Sequence, residues 1–574
     1  MNKLSLVRFL GLAAVIGLSG CHAWFLADAD REVYRLIEQR QQATLGETHA
    51  VRLGAENGAA SRGGDKYDFV PHPVDPGVPS AFQARPEAAS EANPSEATAD
   101  EPAPTDADPL MFTLADALAY ALKHSREYQT AKEDLYLAAL DLTLERHLWT
   151  PLLVSTVSAE FADFGQVRDF DRAMTAVADF SVTQALPYGG QVTAQVVHSL
   201  MRDLGVHVTS AETGVAILSA DLPLLRGAGR VAYESRYQAE RNLIYATRNF
   251  ERFRRTFLVD IAGDYFELLV NKSAIENAEE SVKGFLSDLE RAQALVEKEK
   301  LIRVEADRAR VEYLIATNDV ITTREFFETA LDFFKIRLGM PTDTPLDIVA
   351  EEVGLVDPKV GEAVATETAL RYRLDLLNDL DAVDDARRAV VIARNNLLPQ
   401  FDLSGSVTLD TDSTRLNSAS FNTERATWRG MAELEIPLDR KQERNDYRSA
   451  WIGLRRAERL YDEAKDRVRV QVRSALRRLK QAHFSMEVQR ENININAVRR
   501  EHAKILFEVG KLSSNRDKIE AENAYRRASD RFATAESDYR IAILEFLLDT
   551  GTLRVGDDGR WVRPDDPTPE PATD

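Results

Sequence analysis

The sequence has a single cysteine, an excess of acidic over basic residues, and no long apolar run. One cysteine among 574 residues excludes a framework of intrachain disulfides and a zinc site built on several thiolates. The formal net charge of −21 argues against a nucleic-acid-binding protein, which needs a basic stripe to meet phosphates. No stretch of about 18 apolar residues occurs, which excludes a polytopic helical membrane protein. A transmembrane β-barrel is not excluded, because its strands alternate apolar and polar residues.

The one cysteine follows a short export signal. Two basic residues precede an apolar run at 9–18 and small residues at 19–20, so residues 1–20 are predicted to be a signal peptide too short to span a membrane. The sequence Leu18-Ser19-Gly20-Cys21 also resembles a bacterial lipobox. That resemblance implies cleavage before Cys21 and lipidation (palmitate) of its thiol and new amino group. The alternative is an ordinary signal peptide with an incidental cysteine.

Both ends of the mature chain have a composition unsuited to a core. Residues 21–110 are rich in Pro, Ala, Glu, Ser and Asp, and such a stretch buries too little apolar surface to offset its ordering entropy. We expect a lipid-anchored, largely disordered tether here, with one short helix from Asp28 to Gln42. Residues 556–574 have the same character and are predicted to be a disordered acidic tail.

The sequence between these ends contains an internal duplication. Ala369 lies 248 residues after Ala121, and each is followed 30 residues later by a proline, Pro151 or Pro399. The predicted repeats are 111–350, with strands at about 151–224 and a helical hairpin at about 230–338, and 351–555, with strands at about 400–437 and a hairpin at about 441–548. The first helix of each repeat is predicted to run without a break, at about 113–147 and 362–396.

The segments after the two prolines alternate with a period of two. In 401–410, Phe, Leu, Gly, Val and Leu alternate with Asp, Ser, Ser, Thr and Asp, and 427–436, 176–186 and 190–199 follow the same pattern. Segments of about ten residues with one apolar face have the length of a tilted membrane strand. A soluble β-sandwich remains the alternative on the strands alone.

Two very long helices decide between these alternatives. Residues 231–299 and 441–509 contain no proline, and about seventy helical residues span on the order of 100 Å. Apolar or small residues recur every seven positions in the second stretch, which marks a left-handed supercoiled seam; the series is Tyr447, Leu454, Tyr461, Val468, Ala475 and Ala482. The pattern indicates a coiled-coil or helical-barrel setting rather than a globular domain.

This duplicated helix, strands and long-helix pattern resembles the TolC-like outer-membrane efflux protein family, over roughly residues 111–555. The matching pieces are TLADALAYAL, ARNNLLPQFDLSGS, EIPLDR and FEVGKLSS. The resemblance implies a mainly α fold with a membrane β-barrel portion: a homotrimer whose barrel in the outer membrane of a Gram-negative-type envelope continues into a periplasmic α-helical barrel. It also implies a periplasmic adaptor and an inner-membrane pump, of the RND or ABC type, as partners.

The first repeat departs from the family pattern. Each chain usually supplies four strands, two per repeat, whereas the first repeat here has about 34 extra residues and four strand-like segments around Leu186-Pro187-Tyr188-Gly189-Gly190. The extra hairpin either widens the barrel or caps it from outside. We expect a twelve-strand trimeric barrel with an added hairpin.

The ends of the long hairpins are the predicted docking sites for the adaptor. In the family the second end resembles Tyr-x-x-Gly-x-x-Ser, which Phe507, Gly510 and Ser513 match with Phe in place of Tyr. The resemblance therefore implies an adaptor-docking tip, which we assign to Phe507, Gly510, Lys511, Leu512, Ser513, Lys300 and Leu301. The first end lacks the glycine, and a helix turn without a partner is the alternative for both.

The stretch after the second tip contains a predicted tunnel constriction. Family members often place an Asp followed by apolar residues here, and Asp517 is the matching residue. Three copies of Asp517 around a trimer axis would repel one another and favour cations. The alternative is a solvated charge paired locally with Arg516 or Lys518.

No catalytic set, metal-ligand spacing or cofactor motif is found, so we expect neither enzyme activity nor a cofactor. Gly227-Ala228-Gly229 lacks the spacing of a phosphate loop, and the nine histidines do not form an HExxH motif. The predicted function is a passive outer-membrane channel for tripartite efflux or type I secretion. A periplasm-spanning coiled-coil lipoprotein is the alternative, and the sequence leaves the cargo open among drugs, metal ions and polypeptides.

Overall fold

The computed structural model describes residues 22–53, 109–163, 172–203, 210–299, 302–351, 355–411, 421, 423–508 and 516–561. Its helices are α1 (His22–Leu45), α2 (Leu114–His124), α3 (Arg126–His147), α4 (Glu234–Glu297), α5 (Arg303–Leu338), α6 (Glu362–Tyr372), α7 (Leu374–Asn395), α8 (Lys441–Glu508) and α9 (Arg516–Asp549). Its strands are β1 (Leu110–Phe112), β2 (Leu152–Asp163), β3 (Arg172–Ala185), β4 (Gln191–Asp203), β5 (Ser210–Pro223), β6 (Leu346–Ile348), β7 (Gln400–Asp410) and β8 (Thr427–Glu435).

The two halves of the chain have helices of matching lengths. Helices α2 and α3 have 11 and 22 residues, and α6 and α7 have the same two lengths. Each pair is followed by strands and then by a long helix, of 64 residues in α4 and 68 in α8. The prediction of one unbroken first helix per repeat is wrong, since each repeat has two helices there.

The break between the two helices is caused by a contact with a distant segment. Ser125 and Arg373 have extended backbones, with ψ of 128° and 122°. A Cβ at Gly339, whose φ is +82°, would lie 2.0 Å from the carbonyl oxygen of His124, and one at Gly551 would lie 3.1 Å from the Tyr372 carbonyl. The last helix of each repeat therefore ends against the break, and only glycine allows this approach.

Six strands form one antiparallel sheet in the order β2-β3-β4-β5-β7-β8. The four strand-like segments of the first repeat are β2 to β5, as predicted. The expectation that the extra hairpin stands apart from the sheet is wrong, because β3 pairs with β2 and β4 pairs with β5. Those pairings satisfy the backbone groups on both sides of the hairpin. A separate two-stranded parallel sheet joins β1 to β6.

The four long helices lie side by side in the order α5, α4, α9, α8. The predicted seam residues are largely buried, including Leu454, Val468 and Ala475 on α8. Phe257 and Ile261 on α4 are also buried, within the main core that α1 to α5 share with the C-terminal residues. Among the described residues, no helix has the length and apolarity that crossing a membrane requires.

The segments predicted to be disordered are partly ordered. The expected short helix is confirmed as the longer α1, which packs on α3 and α4 through Val33, Leu36 and Ile37, all at most 4% exposed. Residues 22–53 are therefore a docked arm rather than a tether. Residues 556–561 likewise pack against the body, whereas 54–108 and 562–574 lie outside the described residues.

Candidate functional site

One face of the six-stranded sheet is apolar across all six strands. Because side chains alternate along a strand, the pairing register decides which residues share a face. Phe180 lies opposite Val196, which lies opposite Ala216. Ten large apolar side chains of this face are between 42% and 78% exposed: Leu153, Val157, Phe161, Met174, Phe180, Val196, Leu218, Leu403, Trp428 and Leu434. An apolar surface of this extent requires a non-aqueous partner.

The opposite face of the same sheet is more polar, and its charged side chains are mostly acidic; we call it the acidic face. Asp179 lies opposite Val197 and accepts a hydrogen bond from Gln195 at 2.7 Å, and the hydroxyls of Thr183 and Thr193 lie 3.2 Å apart. Arg429 shares this face with a group of carboxylates: Glu160, Asp179, Asp221, Asp402, Glu433 and Glu435. Such a surface attracts cations.

Both ends of the sheet and of the helix row are open in a single chain. Within the part of the chain that the structure describes, strands β2 and β8 each pair with one neighbour, and unpaired strand edges are not tolerated where water is absent. The outer helices α5 and α8 carry apolar residues that are between 53% and 69% exposed: Val311, Leu314, Ile321, Phe326, Phe333, Val470, Phe484, Ile495 and Val498. These edges lie on opposite sides of the molecule, so one copy can cover the edges of the next.

Most residues of the predicted docking tip fall outside the described part of the chain. These are Lys300, Leu301, Gly510, Lys511, Leu512 and Ser513, and Cys21 also lies outside it. Phe507 lies in the last turn of α8. At the first tip α4 ends at Glu297 and α5 begins at Arg303, and Glu299 between them has a φ of 56°. Glu299 thus adopts the left-handed backbone conformation that glycine usually occupies. The sequence has no glycine in this turn.

Asp517 is exposed in the first turn of α9. Its neighbour Lys518 forms an ion pair with Asp288 of α4, and Ile519 is buried against Phe285. Lys518 is therefore held by the adjacent hairpin. The ring of three Asp517 carboxylates stays a prediction, since it depends on other copies of the chain.

Sequence reasoning missed a buried charged cluster that joins three distant segments. His49 follows α1, Glu251 lies in α4 and Asp557 follows α9; His49 Nδ1 lies 2.7 Å from Asp557 Oδ1, and His49 Nε2 lies 3.4 Å from Glu251 Oε2. Arg254, which is 1% exposed, donates to the carbonyl oxygens of Val555 and Gly556. We name these side chains, with Glu47, Arg255 and Arg554, the arm cluster. No sequence motif marks it, because its members are separated by hundreds of residues.

The arm cluster includes three ligand-type residues, Glu47, His49 and Glu251, whose donor atoms lie within 4.8 Å of one another. Guanidinium groups already occupy these carboxylates: Arg255 Nε lies 2.6 Å from Glu251 Oε1, and Arg554 Nη1 lies 3.6 Å from Glu47 Oε1. A divalent ion would enter a site already rich in fixed positive charge. The arrangement fits an ion-pair network that fastens the segments after α1 and α9 to α4, and it does not fit a metal centre.

The arm cluster should hold the N-terminal arm more firmly at acidic than at alkaline pH. Burial alone would lower the pKa of His49, but its hydrogen bonds to Asp557 and Glu47 outweigh burial and raise it. A raised pKa in the folded state gives a stabilisation that is complete below the ordinary value of 6.5 and is lost as the pH rises through the folded-state pKa.

The thermal unfolding midpoints of the wild type and of His49→Gln measure this effect. At pH 6 we expect the wild type to unfold at a higher temperature than His49→Gln. The difference between the two midpoints should shrink steadily toward pH 9. A difference that grows with pH would contradict the assigned protonation. His483→Gln, at a 42% exposed position with one ion-pair partner at 3.9 Å, is the control and should show little effect.

Residues 365–547 match the outer membrane efflux protein family. The fold is similar to CmeC, the outer membrane channel of Campylobacter jejuni, at 14% identity, a TM-score of 0.58, and 78% of this chain and 86% of that chain covered. It is also similar to VceC of Vibrio cholerae, at 13% identity and a TM-score of 0.58, with 76% of this chain and 96% of that chain covered. A third similar structure is the MtrE outer membrane channel of Neisseria gonorrhoeae, at 14% identity and a TM-score of 0.56, with 76% of this chain and 88% of that chain covered. A comparison with curated sequences finds no significant match.

The fold is thus that of the outer-membrane channels, with two repeats of strands and long helices in one chain. The match of residues 365–547 to the outer membrane efflux protein family, together with the fold, confirms the resemblance to TolC-like outer-membrane factors. The relatives are channels rather than enzymes, and their location is the outer membrane.

Proposed function

We propose that the protein is a passive trimeric conduit across the outer membrane. Substrates would be delivered by an inner-membrane pump, of the RND or ABC type, through a periplasmic adaptor, and would leave the cell without any reaction at this chain. The lipid on Cys21 would anchor the arm in the membrane. Energy is supplied by the pump, so the conduit itself needs no nucleotide site.

The observation that carries this proposal is the six-stranded sheet with one apolar face, one acidic face and two open edges. A sheet of six strands cannot close on itself around a pore, and lipid does not tolerate its open edges. Head-to-tail pairing of β2 with β8 of the next copy closes the ring when the rotation is cyclic. The apolar face then meets lipid, and the acidic face lines the lumen.

The long helices support the same assembly. The apolar faces of α5 and α8 lie at opposite ends of the helix row, so the copies that pair through their strands also bring these helices together. The result is a tube of helices below the barrel, on the order of 100 Å long. The tips of the hairpins, including Phe507 and Gly510, would then project toward the adaptor at the far end of the tube.

A periplasm-spanning structural lipoprotein is the competing function. It accounts for the long helices and for a lipid at Cys21. It does not account for the sheet, because a spacer has no use for ten-residue strands with an exposed apolar face.

The proposal is tested by purifying the full-length protein in mild detergent and reconstituting it in planar bilayers. We expect a species of three chains that dissociates on heating, and stepwise conductance before heating but not after it. The heat-dissociated sample is the matched control, because it has the same composition. A monomer without conductance would refute the channel and would favour the spacer.

A further inference from the structure

The inference rests on the proposed channel function and concerns the width of its outer-membrane portion. We infer that the barrel has eighteen strands, six from each copy, and that the hairpin β3–β4 is a structural part of the barrel wall. The lumen is then a water-filled pore of porin scale that admits large hydrophilic cargo. Selection by size falls to the helical tube below it.

The backbone pairing of the hairpin carries the first step. β3 pairs with β2 along the whole of β2, from Leu152↔Thr183 to Asp163↔Arg172, and β4 pairs with β5 from Gln191↔Asp221 to Arg202↔Ser210. A hairpin that capped the pore would leave β2 and β5 paired with each other. Here the two strands lie three positions apart in the sheet, so the hairpin separates them over its full length.

The second step is the continuity of the two faces across the hairpin. Phe180 and Val196 are 46% and 42% exposed on the apolar face, whereas Asp179 and Gln195 are bonded to each other on the acidic face. The alternation of apolar and polar side chains therefore continues through β3 and β4, and their apolar residues lie on the same face as those of β2 and β5. A hairpin outside the membrane has no need of an apolar face.

The turn that joins β3 to β4, at residues 186–190, lies at the junction between the strands and the helices. Gly190 has a φ of +85°, and a Cβ there would lie 2.0 Å from the Asp221 carbonyl oxygen. The Gly229 N–H donates to the carbonyl oxygen of Tyr188 at 2.8 Å, and the Gln184 side chain donates to the Trp149 carbonyl at 2.8 Å. The turn is thus tied to the chain just before β2 and just after β5, so the hairpin begins at the same depth as both strands.

The strand number sets the width of the pore. The diameter of a barrel grows roughly linearly with strand number, so eighteen strands give about 1.5 times the diameter of twelve. Barrels of about 16 to 18 strands leave an open aqueous channel. The helix row still has four helices per copy, so the widening is confined to the strands.

The test compares the full-length protein with a variant in which residues 164–209 are replaced by a short Gly-Ser turn. That change joins β2 to β5 and leaves four strands per copy. Both proteins carry Ser406→Cys on the acidic face of β7, and Cys21 is the only natural cysteine. Maleimide-polyethylene glycols of graded mass are added from the extracellular side. We expect a distinctly larger polymer to react with the introduced thiol at position 406 in the full-length trimer than in the shortened one.

Equal size limits in two conducting trimers would overturn the inference and leave the channel function intact. If the shortened chain does not assemble, Val177→Cys and Ala178→Cys in the full-length protein decide instead, because they lie on opposite faces of β3. Reaction of a charged, water-soluble thiol reagent at 177 but not at 178 supports the barrel wall; equal reaction at both refutes it. Absence of conductance in the full-length protein without substitutions would instead refute the proposed function.

Discussion

Replacing Glu251 with alanine should destabilise the folded chain by about 3–5 kcal/mol, because it leaves buried guanidinium groups without their counter-ion. Glu251 is 1% exposed and lies 2.6 Å from Arg255 Nε and 3.5 Å from Arg254 Nη1. The two arginines are 1% and 5% exposed as residues. Water cannot replace the missing carboxylate at such depth, so the charge of Arg255 is left with Glu47 at 3.9 Å and that of Arg254 with backbone carbonyl oxygens.

The denaturant concentration at which the helical signal is lost measures the effect in the detergent-solubilised protein. The control is Glu458→Ala. Arg455 and Glu458 form a surface pair on α8 at 2.9 Å, with side chains that are 67% and 32% exposed, and surface pairs contribute about 0–1 kcal/mol. Equal effects of the two substitutions would contradict the role given to Glu251. Glu251→Gln separates charge from shape, because it keeps the volume of the side chain and removes its charge.

The position of Glu251 explains why this effect reaches beyond one helix. Its neighbour His49 belongs to the N-terminal arm, and Arg254 donates to the carbonyl oxygens of Val555 and Gly556. The segments that follow α1 and α9 therefore meet on α4. A loss of Glu251 should loosen both segments together, and protease cleavage after α1 and after α9 should increase in parallel.

The sequence was sufficient to predict the repeats, the strands and the long hairpins. The reason is that each depends on local periodicity: the alternation in 401–410 and the seven-residue spacing from Tyr447 to Ala482 are visible without any partner. Because the pattern is duplicated, recognising the helical stretch at 113–147 also placed its counterpart at 362–396, although the break within each stretch was not predicted.

Features that depend on contacts between distant residues could not be predicted. The break at Ser125 exists because the end of α5 at Gly339 packs against it, and nothing near Ser125 in the sequence marks that contact. His49 and Asp557 lie in stretches of low apolar content, so composition predicts disorder for both, yet α4 orders them through Arg254. The place of the hairpin between β2 and β5 likewise follows from pairing, which alternation alone does not determine.

Arginine at Val196 should block assembly in the outer membrane, whereas arginine at the next residue, Val197, should be tolerated. The two valines are adjacent near the middle of β4 and differ only in the face they occupy. Val196 lies opposite Phe180 and Ala216 on the apolar face. A charged side chain on the lipid face near the bilayer midplane costs about 2–4 kcal/mol, and the trimer carries three copies of it.

Val197 is the matched control, because it lies opposite Asp179 and Val215 on the acidic face. A guanidinium there enters a wet lumen next to a carboxylate, so the trimer should form while its preference for cations falls. The measurements are the amount of heat-sensitive trimer in outer-membrane fractions and the reversal potential across a salt gradient. Equal trimer yields from the two variants would show that β4 does not meet lipid. Because both substitutions insert the same side chain into the same strand, a difference between them can arise only from the environment of each face.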